Sequence, residues 1–226
     1  MSVIGRDEKQ AFTILITVTG SGTLLPFQAI YQGKTARSCP NSESPCYQSA
    51  IAAGFLFEPS GTKTYWSNQQ TMQSFVNNIL APYFDATKAT LGLPEDQRSL
   101  WFIDVWSVHQ SEEFLGWMGD MHLTILIDFV PGGCTGVAQP CDVGIQRAFK
   151  HITNQCFHED IVNTTLTQLD NGEELSVDET LPTLRNASVR WLWVAYEKLN
   201  TKENVQKVSD RLNGWDWELT VVAIGL

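Results

Sequence analysis

The run LWFIDVW places six large apolar residues around a single carboxylate, Asp104. A run of that composition reads as a buried strand. A charge inside such a strand is costly unless it is paired, lies at the strand's end, or holds a metal. Farther on, FVPGGCTGVAQPCDVGIQRAFK leads through a Gly-rich loop to Asp142, at the start of a helical pattern. There a carboxylate can cap the helix by accepting from its free backbone N–H groups. Two carboxylates arriving at neighbouring strand and helix ends can instead offer hard oxygen ligands to Mg²⁺ or Mn²⁺, leaving water positions open for a phosphate. Asp128, within LTILIDFV, competes for the second place, although it stands well ahead of the loop. Residue patterning leaves these readings open.

The rest of the chain supplies alternating elements. AFTILITVT has the alternation of a strand with one stronger apolar face, and Gly20-Ser21-Gly22 signals a turn. A second strand, TLLPFQAIYQG, would complete a hairpin, with Pro26 demanding an edge or a bulge. Residues 33–64 read as a long loop with a helical turn or two. A capping box at Ser67 and Gln70 opens a helix carrying Met72, Phe75, Val76, Ile79, Leu80 and Tyr83. A second helical segment, DATKATLGL, follows Pro82. Then come a strand over 100–106, a short helix over 111–118, a strand over 123–130, and a long helix from about Val143 to Leu169. A final helix spans 186–199, and the tail WDWELTVVAIGL is either a strand or an unpaired end. Strands interleaved with helices after an antiparallel start predict a mixed α/β fold.

Composition narrows the function classes. With 43% hydrophobic and 18% charged residues over 226 positions, the chain can bury one sizeable core. No apolar run approaches the roughly 20 residues that span a bilayer, and MSVIGRDEKQ lacks the features of a signal peptide. Five cysteines, an odd number, read as reduced thiols in an intracellular protein. The net charge of −10 argues against DNA binding by the bare chain, because affinity for phosphate comes largely from Lys and Arg. A basic partner, a lost domain or metal ions would have to offset it.

Other constellations are weaker. Cys134 and Cys141, with His151, Cys156 and His158 downstream, lack the tight spacing of a zinc knuckle, and Cys39 with Cys46 repeats the same six-residue gap. Ser107 and His109 lie near Asp104, but no G-x-S-x-G elbow accompanies them. PGGCTG lacks the G-K-[ST] ending of a phosphate-binding loop. Trp191 and Trp193 fit helix packing better than base stacking.

Three segments carry a more specific signal: FIDVWSVHQSEEF, FVPGGCTGVAQPCDVGIQRAFK and DEKQAFTILITVTGSGTLLPFQAIYQGKT. Together they resemble the DDE endonuclease domain of pogo-like transposases, particularly copies in fungal genomes, from about Gly5 to Trp193. That resemblance implies an RNase H-like fold, a mixed five-stranded sheet flanked by helices. It implies an endonuclease-like domain over 1–155, with a helical C-terminal extension over 156–226 packed on it. In the family, three acidic residues hold two divalent ions, Mg²⁺ or Mn²⁺, that activate water or a DNA 3′-hydroxyl for in-line attack on a phosphodiester. Asp104 would be the second carboxylate and Asp142 the third, with 37 residues between them. His109 would line the site near the metals, and Gln139 would shape the loop before Asp142.

The family's first aspartate sits on a strand upstream of the GRDEKQ-like segment, which here follows Met1 at once. Asp7 and Glu8, in a charged turn, are poor substitutes, and the usual N-terminal helix-turn-helix region is not in the chain. The expectation is therefore a sheet missing its first strand, weak metal binding, and little or no nuclease activity. By resemblance the partner is DNA and the location nuclear, with a protein partner or homodimer as a further class and no membrane. The alternative is a domesticated, non-catalytic interaction or regulatory module.

Overall fold

The computed structural model describes residues 12–105, 107–129, 145–201 and the backbone of 220–225. Its frame is β1 (Phe12–Thr19), where the alternation seen in the sequence turns into two buried faces. Ile14, Ile16 and Val18 enter one core, and Leu15 enters the other. The intervening Thr13, Thr17 and Thr19 are buried as well. β2 (Gln28–Tyr31) pairs antiparallel with β1, and β3 (Leu56–Pro59) pairs parallel with β2. β2 is shorter than the expected hairpin strand: Leu24 makes only an isolated bridge to Val18, and Pro26 precedes the ladder. β3 falls inside the stretch read as loop, along with a 3-10 turn (Ala36–Ser38) and α1 (Tyr47–Ala52). Four residues, LFEP, are too few to show a period.

The second half supplies β4 (Ser99–Ile103) and β5 (Ile125–Phe129), paired in parallel. Between β3 and β4 run α2 (Gln69–Phe75), a π turn (Val76–Leu80) and α3 (Ala81–Leu91), end to end. The cap of α2 is Asn68 rather than Ser67. Its side chain accepts from Thr71 N at 3.2 Å, while Thr71 Oγ1 accepts from Asn68 N at 2.9 Å. Ser67 is buried, and its hydroxyl pairs with that of Thr71 at 2.8 Å and leaves the cap to Asn68. The expected break at Pro82 is instead a wider turn: the π segment just before it accommodates a residue that has no N–H to give. Gly92, at φ +66, then closes α3. α4 (Glu112–Met121) leads into β5, and α5 (Arg147–Asp170) and α6 (Leu181–Leu199) form the last helical pair.

The tail resolves the largest open question. Residues Thr220–Gly225 form β6, and it lies in the middle of the sheet. The order is β3-β2-β1-β6-β4-β5, with β6 antiparallel to β1 and parallel to β4. Every strand but β1 therefore runs the same way. Among the described residues the sheet has six strands, and its central place is filled by Thr220–Gly225.

Helices cover both faces. α1, α5 and α6 bury Ala50, Phe149, Ile152, Cys156, Leu192 and Ala195 against one face. α2, the π turn, α3 and α4 cover the other around Trp101. Phe27 anchors the first core, with ring centroids 5.2 Å from Phe55, 5.3 Å from Tyr196 and 5.9 Å from Phe149. Residue 155 lies within α5, whose buried residues share a core with β1 and α6. Trp191 and Trp193 pack between helices and aromatic rings, as their spacing implied.

Candidate functional site

Parallel strands end at one edge of a sheet, and in open α/β sheets ligands gather outside those carboxyl ends. Here β4, β5 and β6 are parallel. Asp104 is the first residue past β4, half-buried, and so escapes the cost of a charge in mid-strand. The strand stops at Ile103 instead of continuing to 106 as its apolar run suggested. Val105, at 43% exposed, shows that the covered part of the sheet has ended.

The turn after Asp104 is built by short polar contacts. His109 Nδ1 lies 2.9 Å from the carbonyl oxygen of Asp104. A carbonyl only accepts, so Nδ1 carries the proton and Nε2 the lone pair. Ser111 Oγ donates to Val108 O at 2.9 Å and accepts from Phe114 N at 3.2 Å, which caps α4. Gln69 Nε2, from α2, donates to the same oxygen at 2.8 Å. Glu112 and Glu113 in the first turn suit the positive end of that helix.

His109 is 2% exposed and packed toward Phe114, with ring centroids 6.4 Å apart. Burial pushes its pKa below the ordinary imidazole value, against the opposing pull of the Asp104 carbonyl and charge. The neutral ring holds the backbone at Asp104 in place. Ser107 is exposed in the turn, so the Ser107–His109 pair forms no nucleophile and base.

Of the other candidates, Asp128 stands level with Phe102 in the β4–β5 pair, at the same carboxyl-end edge. It is exposed, and its Oδ1 accepts from the backbone N of Phe129 at 2.8 Å. Asp142, Gln139, Cys134 and Cys141 lie outside the described residues. β6 reaches the same edge: its ladder with β4 ends at Ile103↔Ala223, one step before Asp104. Its sequence, TVVAIG, contains no acidic residue, so this central strand adds no carboxylate beside Asp104. Among the described residues no three His, Cys, Asp or Glu side chains come together as a metal site. Cys39, Cys46 and Cys156 are free thiols, and burial raises the pKa of each. That favours the inert thiol over the metal-binding thiolate.

Residues 9–207 match the DDE superfamily endonuclease family, and the chain belongs to that family. Among curated proteins, the Jerky protein of Mus musculus is 29% identical to it over 87 residues, or 38% of this chain and 15% of Jerky. The chain thus spans about 15% of the length of that relative. No solved structure matches.

Divalent metals are the family's general cofactors. Among the described residues no three ligands group for one; Asp104 offers a single carboxylate, and Asp128, at the same edge, has its Oδ1 engaged by the Phe129 N–H. Among the described residues, no helix is long and apolar enough to cross a membrane.

Proposed function

We propose that the chain is a transposase-derived DDE nuclease domain with an RNase H-like sheet, which engages DNA and has lost most of its power to cut it. What carries this reading is the family match across residues 9–207, together with Asp104 at the carboxyl edge of the central parallel strands. Asp104 and Asp142 would be the retained metal ligands, with His109 positioning the first. When bound, Mg²⁺ or Mn²⁺ would lower the pKa of a coordinated water and offset carboxylate charge near phosphate. Asp104 and Asp142 alone make a weak ligand set, and β6 brings no third acid to the edge where Asp104 stands. A nuclear location and a DNA partner follow from the family reading.

A second reading is a non-catalytic protein-interaction or regulatory module that keeps the fold. It is favoured by the net charge of −10, which repels a phosphate backbone. One experiment separates the two. Purified protein is incubated with supercoiled plasmid and short duplexes in Mg²⁺ and Mn²⁺, beside Asp104→Ala and Asp142→Ala. Metal-dependent DNA retention with slow nicking, both lost in either variant, supports the first reading. Absence of retention and nicking at all metal concentrations leaves the interaction module.

A further inference from the structure

The net charge of −10 is unevenly spread. From Gln32 to Ser42, and again from Pro59 to Phe84, the sequence contains no Asp or Glu. Those stretches hold Lys34, Arg37 and Lys63, all exposed, together with Tyr65 and Trp66. Among the described residues none of these three cations is in an ion pair. The fold gathers them just past the carboxyl ends of β2 and β3. Ser60 N donates to Tyr31 O at 2.8 Å, Gly61 N to Gly33 O at 2.8 Å, and Gln32 Nε2 to Lys63 O at 2.6 Å. Gly33, at φ +140, has no room for a Cβ beside Ser38, so the 3-10 turn carrying Arg37 is folded against the same pair of segments.

From there the chain crosses toward Asp104. Asn68 Nδ2 donates to Ser60 O at 2.5 Å and closes the loop between them. Gln69 Nε2 then reaches Ser111 Oγ, in the turn that His109 ties to Asp104. The loop is also tied internally, with Ser60 Oγ donating to Thr64 O and Ser67 buried. Trp66 stands in this held loop at 51% exposed, its ring centroid 5.3 Å from that of Tyr65. An aromatic face open to solvent beside unpaired cations suits unpaired nucleic acid, whose phosphates take the cations and whose bases stack on the ring. Duplex bases are already stacked on one another and would leave the indole unused. We infer that this loop is a docking site for an unpaired stretch of DNA, with Lys34, Arg37 and Lys63 on its phosphates and Trp66 stacked on a base. The inference rests on the DNA reading above and supplies the local cationic surface that the net charge conceals.

Binding of the whole chain is followed by the anisotropy of two labelled DNAs in Mg²⁺, a blunt duplex and the same duplex with a 3′ overhang of thymidines. The wild type should prefer the overhang. Trp66→Ala should weaken overhang binding roughly 5- to 100-fold, as loss of one stacked base implies, and leave the blunt duplex unaffected. Trp66→Phe should recover part of that loss. Lys34→Ala, Arg37→Ala and Lys63→Ala combined should lower the slope of log affinity against log salt by about 2, at about 0.7 per phosphate on a single strand. Equal affinity for the two DNAs, or overhang binding untouched by Trp66→Ala, would overturn the docking site while DNA binding itself stands. Absence of binding to either DNA, with or without metal, would overturn the DNA reading and this site with it.

Discussion

His109 is tied to the backbone just beyond β4. Its ring carries one hydrogen bond to the backbone of Asp104 and is buried on the core side of the turn. His109→Ala should cost on the order of 2–3 kcal/mol, from a lost buried bond plus a cavity, measured by urea unfolding. His109→Asn, which can still donate to the carbonyl, should recover part of that loss. Burial lowers the folded-state pKa, so the unfolded chain takes up this proton first as pH falls. Stability linked to His109 is therefore intact above the ordinary value of 6.5 and declines below it. His122, half-buried, shifts the same way. The drop in unfolding midpoint between pH 7.5 and 5.5 should accordingly be smaller in His109→Asn than in the wild type. A second buried site, Tyr31, donates to Ser188 Oγ at 2.8 Å, because that hydroxyl already donates to Arg185 O at 2.7 Å. Desolvation raises the Tyr31 pKa. Tyr31→Phe should destabilise by about 1–2 kcal/mol, since it leaves one buried hydroxyl with a partner missing.

At the scale of elements, α5 is divided. Its first half buries Phe149, Ile152 and Cys156, whereas Val162, Leu166 and Leu169 recur at helical spacing and are each more than half exposed. Between them sits a clamp to α6. Arg190 Nη2 donates to Asp160 Oδ1 at 2.7 Å, and Trp191 Nε1 donates to Asp160 Oδ2 at 2.6 Å. Phe149→Ala should cost about 3–5 kcal/mol, while Leu166→Ala should stay within about 0.5 kcal/mol, as exposed positions usually do. Thermal melts of the two variants test this contrast. Periodicity showed α5 clearly but could not say which half would be covered, because apolar residues recur along its whole length. α2 and β4 were legible for a related reason: Met72, Phe75 and Val76 keep a helical period, and LWFI has the density of a buried strand. β3 was not, since its four residues matter only through pairing with β2.

For the whole molecule, the sheet depends on β6. Val222→Pro removes an N–H from one flanking ladder, and its ring distorts the strand that both ladders share. Hydrogen exchange should show amides of Leu15–Thr19 and Leu100–Ile103 losing protection together, with the first half of α5 less affected. Unchanged protection in β4 would show that the half-sheets hold without it. Taken by itself, the sequence determined the strand–helix alternation, β4 as a buried strand, the three segments that carry the family resemblance, and Asp104 as a residue of interest. Those features are local, written in periods of two and 3.6 residues or in short motifs. Tertiary structure alone decided that Asp104 stands just beyond its strand, that His109 braces it, and that the last residues of the chain lie at the sheet's centre. The reason is physical. Backbone pairing between strands is satisfied by direction and register and carries little sequence of its own, so TVVAIG looks alike as a loose end and as the strand that closes the sheet.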